Sequence, residues 1–384
     1  MTEKLKNLMH EQASAPHFDP VDVATLVGEG DRRVRRRRWA LVGGGAAAAV
    51  AVATLAPALL GGATGPGSLS PGTATDGYPV TNGDLPRDMF AQGAVTWAMD
   101  SVIHYGDVTV DVGRPVDAFV RTEIGFVFAS EGEVWEVDGD QQRLVGAVDA
   151  KHPRLVSDEE TPAAGWVDPT GERPAFVVFD QGTGATTAFD ENTTPGMGSL
   201  ADEDDPAYFY AIDDGTAYWR DERGAVATDL ATTEAEVIDA DARNGFDIVD
   251  VEDGLVAFST QQGAFVGPSR GEGVELEGAY GSMGDFSPAA RYYASDADEA
   301  QVYDTRTGQQ MRVDLPGYAF ATGFGWVDDG TVVVLAAKTE TSSAELLTCA
   351  LPSGVCTAFV DDLGSFDQIT GSFQLPVGET IGDD

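Results

Sequence analysis

From about Val95 onward, short apolar runs alternate with polar turn dipeptides. GFVFAS, EVWEVDG, AFVVFDQGTG, YFYAIDDG, TAYWRDERG, LVAFSTQQG, QVYDTRTG and TVVVLAAK are rich in Val, Phe, Tyr or Trp, and most are closed by Gly, Asp-Gly or Thr-Gly. β-Branched and aromatic side chains fit a pleated, half-buried surface, and the Gly-containing dipeptides reverse the chain, so these runs read as strands in hairpins. No stretch beyond residue 60 is long and periodic enough to predict a helix. The region is expected to be almost wholly β.

Spacing then predicts the architecture. Strands ending in Asp before a turn recur at Asp138, Asp180, Asp221 and Asp304, with gaps of 42, 41 and 83, the last being twice about 41. The missing member falls at AFVGPSRG near Pro268, the Cys349 hairpin follows Asp304 by 45 residues, and VIHYGDVTVDVG (Val102 to Gly113) lies upstream. A period of about 40–45 residues with about four strands per unit is that of propeller blades, which cover one another's faces radially. Hairpins near Gly106, Asp138, Asp180, Asp221, Pro268, Asp304 and Cys349 give an all-β, seven-bladed β-propeller. One degenerate repeat would make the count six or eight. The first unit has about two strands of its own, and Phe366 to Val377 offers one or two more, so both ends are expected to share a blade and close the ring.

Upstream the pattern is different. Trp39 to Leu60 is an uncharged run close to the ~20 residues a helix needs to cross a hydrocarbon core. Arg32, Arg33, Arg35, Arg36, Arg37 and Arg38 abut it on the N-terminal side. The positive-inside bias puts residues 1–38 in the cytoplasm and the rest outside, anchored to the lipid bilayer by one transmembrane helix, 39–60. A cleaved signal peptide normally has a short basic region, whereas 38 residues precede this run. Arg36-Arg37-Arg38-Trp39 partly fits a twin-arginine export signal. Residues 61–86 are rich in Gly, Pro, Ser and Thr and read as a flexible linker, leaving 87–384 for the propeller. Leu5, Leu8 and Met9 have helical spacing, but the tail has too few apolar residues for a core.

Charge narrows the partners. The chain holds 23 basic and 64 acidic residues; segment 1–38 takes 8 and 6 of them, leaving 15 and 58 and a net of −43 for the remainder. So acidic an outer domain repels nucleic acid and anionic lipid. Cys349 and Cys356 flank Leu351-Pro352-Ser353-Gly354 between two apolar strands, where a hairpin brings facing Cβ atoms within bridging distance and an exported location supplies oxidising conditions. A disulfide is expected there.

FSPAARYYASDADEAQVYDTRTGQQ (Phe286 to Gln310) resembles the FSPDGRYLA…VYDxxTG repeat of TolB-like and WD40-like bacterial propellers, and GFGWVDDGTVVVLA (Gly323 to Ala336) resembles their W-x-x-D-G-T-L-x-V strand pair. The resemblance covers about two blades, implies the propeller fold and carries over no catalytic residue. Ala289-Ala290 replaces the usual Asp-Gly, so that hairpin is expected to differ. The layout of tail, span and outer domain is also similar to actinobacterial anti-sigma factors, which implies a transcriptional regulator acting through residues 1–31. Such tails often carry a His/Cys zinc motif, and here His10 and His17 stand without cysteine.

Candidate chemistry is sparse. Gly267-Pro268-Ser269-Arg270-Gly271 matches G-x-S-x-G, but it occupies a hairpin turn, and no pattern ties His104 or His152 to Ser269 as base. Asp202-Glu203-Asp204-Asp205 and Asp239/Asp241 lack the layout of a calcium loop. Trp97, Trp135, Trp166, Trp219 and Trp326 recur on predicted strands, where inter-blade packing is the usual role and a carbohydrate or quinone site the rarer one. Asn192-Thr193-Thr194 fits a glycosylation sequon. The reading is an anchored extracytoplasmic propeller that binds or senses a protein, peptide or glycan, with no cofactor, no metal and no nucleic acid. The alternative is an exported hydrolase or lyase, which converging Asp, Glu, His and Arg at one end of the channel would favour.

Overall fold

The computed structural model describes residues 89–381 apart from 91–92, 139–140, 191–193, 195, 199–206, 243–246, 261–262, 280–283, 296–299 and 340. The expected tail, arginine cluster, span and linker, the sequon asparagine and Asp202–Asp205 lie outside the described residues. Among the described residues no helix is long and apolar enough to cross a membrane.

Seven four-stranded antiparallel sheets follow one another along the chain. In blades 2 to 7 the first strand of each unit is innermost: Ala118–Arg121, Leu155–Ser157, Tyr208–Asp213, Asp247–Glu252, Gly284–Phe286 and Phe320–Asp328. These inner strands pack beside one another and line the axis. Burial falls outward within a blade: Ala118–Arg121 is buried throughout, whereas no residue of its outermost partner, Gln141–Ala147, is fully buried. Alternation in the sequence was weak for this reason, since inner strands are apolar on both faces.

Blade 1 closes the ring. Thr96–Met99, Val102–Tyr105 and Val108–Asp111 are three strands rather than the two expected. Phe373–Gln374 supplies the innermost fourth, pairing Ala98 with Gln374 and Met99 with Phe373. A single helical turn, Phe366–Ile369, precedes it.

Aromatic side chains fill the seams between blades. Trp219 of blade 4 is fully buried and stacks on Phe176 of blade 3 at 4.6 Å and 6°. Trp166 of blade 3 lies over Gly146 of blade 2, where an added Cβ would stand 2.4 Å from the ring. Glycine is present there because the indole uses its side-chain space.

The turn before the outermost strand repeats in chemistry. Asp180, Asp229 and Asp304 each accept the N–H of the threonine three residues on at Oδ1 (2.8, 2.7 and 3.1 Å) and the N–H of the fourth residue at the carbonyl. That fourth residue has positive φ, +69° at Gly184 and +71° at Gly308. Asp221 therefore does not mark this turn: it ends the second strand of blade 4, and the repeat's aspartate is Asp229. The even spacing through Asp221 arose because a second Asp-terminated strand happened to fall near the period. In blade 6 Ala290 adopts φ +48°, the left-handed position that the glycine of an Asp-Gly turn takes, and the hairpin keeps its form.

In blade 7 the same turn is Ala350 to Gly354, with Gly354 N–H donating to the Ala350 carbonyl at 2.8 Å. Cys349 and Cys356 are direct cross-strand partners with Cα atoms 4.0 Å apart, and they form the expected disulfide.

Candidate functional site

The inner strands finish in charged residues. Arg121 ends that of blade 2, Asp158 follows that of blade 3, Asp213 and Glu252 end those of blades 4 and 5, and Asp285 sits within that of blade 6. Every blade repeats the same strand order, so these ends meet at one end of the channel.

Two of these carboxylates, with Asp250 beside them, staple blades together. Asp158 accepts the Asp214 N–H (3.2 Å), Asp213 accepts those of Asp253 and Gly254 (3.3 and 3.1 Å), and Asp250 accepts that of Phe286 (2.8 Å). Each donor belongs to the next blade, which ties blades 3 to 6 in series. Between blades 6 and 7 the direction reverses, with Ser287 Oγ–H and Ala289 N–H donating to Asp329 Oδ1 at 2.6 and 3.3 Å.

Glu252, Asp285 and Glu159 have other surroundings. Burial raises the Glu252 carboxyl to about 9, and the charges of Asp250, Asp213, Asp158 and Glu160 add to the rise. Asp250 and Asp285 are hydrogen-bonded side chain to side chain, which requires a proton between them, and burial raises both. Arg121 is the cation of this group: it is ion-paired with Glu159, and its Nη1 donates to the Phe90 carbonyl at 3.1 Å. Arg121, Glu159, Asp285, Thr96, Trp326 and Pro376 border a small cleft. A neutral carboxyl beside ionised ones is able to donate a proton at neutral pH.

The segment after the closing strand lies along the channel wall. It turns at Pro376-Val377 and then pairs antiparallel at the start of the inner strand of blade 3. Gly378 N–H donates to the Phe119 carbonyl (3.0 Å), and Leu155 N–H donates to the Gly378 carbonyl (2.8 Å). Glu379 pairs with Arg154 in a β-bridge and an ion pair, and Tyr208 O–H donates to its Oε1 at 3.3 Å. Thr380 O–H donates to the Asp117 carbonyl (3.0 Å), and Ile381 N–H to Gln374 Oε1 (3.0 Å).

The residues singled out from sequence lie elsewhere. The Cys349–Cys356 bridge is at the outer side of blade 7. Ser269 precedes a 3-10 turn, Arg270–Glu272, in blade 5, whereas His104 stacks on Trp97 at 3.6 Å in blade 1, its pKa lowered to about 4 by burial. Neither His104 nor the exposed His152 is brought to Ser269. Asp239 Oδ1 accepts the Asp241 N–H at 2.9 Å, which makes that pair a turn. Trp97, Trp166 and Trp219 are packing residues, and Trp135 lies under the Arg114 guanidinium at 3.5 Å. Trp326 alone of the five borders the cleft, donating Nε1–H to the Asp285 carbonyl at 3.2 Å. Among the described residues no group of three or more His, Cys, Asp or Glu is arranged to hold a metal ion.

The channel residues escaped notice because each is an isolated acid among apolar residues of a strand, as in YFYAID and IVDVE. An acid closing the first strand of successive blades was the available signal, and reading it needed the blade phase.

Comparison with known proteins gives no family: no family model matches, and no curated protein matches. Among solved structures the chain is similar to PorZ, a bacterial surface component of the type-IX secretion system of Porphyromonas gingivalis, at 13% identity and TM-score 0.43, covering 64% of this chain and 33% of that one. It is similar to the extracellular domain of the putative hybrid two-component system BT3049 from B. thetaiotaomicron, at 10% identity and TM-score 0.43, covering 69% and 36%. It is also similar to Kluyveromyces lactis Hsv2p, at 10% identity and TM-score 0.38, covering 62% and 75%. Likeness at this level assigns no activity.

Proposed function

We propose that this protein is a single-pass, membrane-anchored extracytoplasmic propeller that binds a protein, peptide or glycan. The observation that carries this reading is the channel. Asp158, Asp213 and Asp250 are engaged as inter-blade staples, and part of its wall is lined by the chain's own segment 375–381. A scaffold stapled in this way presents loops and blade edges as binding surface. The run 39–60 with its flanking arginines supports the anchor and the outward orientation, and the acidic composition disfavours nucleic acid. The repeat at Phe286 to Gln310 supports a TolB-like or WD40-like lineage. Surface labelling of intact cells with a membrane-impermeant reagent tests the orientation: labelling within 87–384 and none within 1–38 is expected, and the reverse pattern removes the proposal.

A second reading has a specific observation in its favour. Asp158, Glu160, Asp213, Asp250, Glu252 and Asp285 converge at one end of the channel, as an exported hydrolase or lyase would need, and Arg121 borders a cleft with Asp285. Turnover in a glycoside and peptide panel that is lost in Glu252→Gln, with the fold retained, would favour it.

A further inference from the structure

The segment that follows the closing strand does more than complete the ring. Blades 1, 2 and 3 each have four strands without it, so residues 375–381 are not needed to finish a sheet. Their contacts are those of a bent peptide lying between two strand edges, with the Gly378 N–H donated to one and its C=O accepting from the other.

The receiving side is built. Arg154 is held independently of the segment, with Nε donating to the Phe209 carbonyl at 2.7 Å and its guanidinium 4.1 Å over the Tyr208 ring. Held by these two contacts, it presents Nη1 to Glu379, and the Tyr208 hydroxyl adds a second donor to the same carboxylate. One residue earlier the slot admits only glycine. Gly378 has φ +75°, and a Cβ there would stand 2.0 Å from the Leu155 carbonyl oxygen and 3.0 Å from Val120 Cγ1. The slot thus reads two adjacent features: a residue with no side chain, then a carboxylate. Pro376, Val377 and Glu379 to Ile381 stay half-buried, so the occupant reaches solvent along its length.

We infer that the slot between the inner strands of blades 2 and 3 is a binding site for a short peptide that bends at a glycine followed by an acidic residue, and that Val377–Ile381 is its resident occupant. This rests on the binding-module reading and names a ligand class for it. A tethered occupant has an effective concentration in the millimolar range, so a free peptide gains access when the resident is released.

The test is fluorescence anisotropy with a labelled peptide of sequence Leu375–Ile381 (LPVGETI) on the full chain in detergent. Gly378→Val, which expels the resident, should bind this peptide at least tenfold tighter than the parent protein. Peptides carrying Gly378→Val or Glu379→Gln should not bind, and adding Arg154→Ala to the Gly378→Val protein should abolish binding. A folded Gly378→Val protein that binds the peptide no better than the parent overturns the inference. Should that variant fail to fold, Glu379→Gln, which removes only the ion pair, is read the same way: tighter peptide binding supports the slot, and unchanged binding overturns it. A surface partner captured equally by the parent and by Arg154→Ala, with no gain in peptide binding, sinks the peptide slot while leaving the binding-module reading in place.

Discussion

Glu252→Gln should make the protein more stable at pH 8 and leave it nearly unchanged at pH 5. Glu252 ends the inner strand of blade 5, half-buried among Asp250, Asp213, Asp158 and Glu160, and its carboxyl titrates near 9 in the fold against an ordinary 4.5. Between these values the folded protein retains a proton that the unfolded chain releases, so stability falls as pH rises. The limiting slope is about 1.4 kcal/mol per pH unit. The cost is absent below about 4.5 and complete above about 9. Glutamine reproduces the neutral carboxyl and cannot ionise, so it abolishes this slope. Across pH 5 to 8 the limit is about 4 kcal/mol, and contact of the side chain with channel water lowers it to an expected 1–2 kcal/mol. At about 2 °C per kcal/mol for a domain of this size, that is a difference of a few degrees. The assay is thermal unfolding of both proteins by circular dichroism in matched buffers. Taking the difference cancels the general effect of the net charge of −41. A difference that stays flat from pH 5 to 8 would mean that Glu252 is ionised and solvated, and the account of the channel would be wrong.

Other substitutions test the seams and the staple. Gly146→Ala should cost about 1–3 kcal/mol, read by denaturant unfolding, because its Cβ would meet Trp166 at 2.4 Å. Trp219→Ala should cost about 3–5 kcal/mol by the same measurement, because the ring is fully buried against Phe176. Reducing Cys349–Cys356, or replacing both by serine, closes off a short loop's contribution and should cost about 2–3 kcal/mol. Unfolding midpoints with and without reductant check this, and identical midpoints would show that the bridge contributes nothing.

Much of the fold was legible because propellers repeat their turn chemistry. Asp180 and Asp304 sit in turns whose hydrogen bonds require Asp, then Thr, then a residue of positive φ, so their spacing counts blades. The facing cysteines were legible because a four-residue turn leaves few registers. What misled was Asp221, a strand-ending aspartate in another turn, since residue type alone does not state which strand it closes. The closing strand, only Phe373–Gln374, is too short to show a period, and the segment beyond it is fixed by contacts with blades far away in sequence. The channel acids were illegible for the same reason: strands some 40 residues apart bring them together, and only blade phase tells which charges face the axis.

The claim of an outward-facing binding module is tested most directly by cross-linking the full chain in intact cells with a membrane-impermeant reagent, then recovering it from native membranes. The account predicts one protein or glycan partner, captured saturably on residues within 87–384. No partner, together with glycoside or peptide turnover that Glu252→Gln abolishes, would contradict it and make the channel an active site.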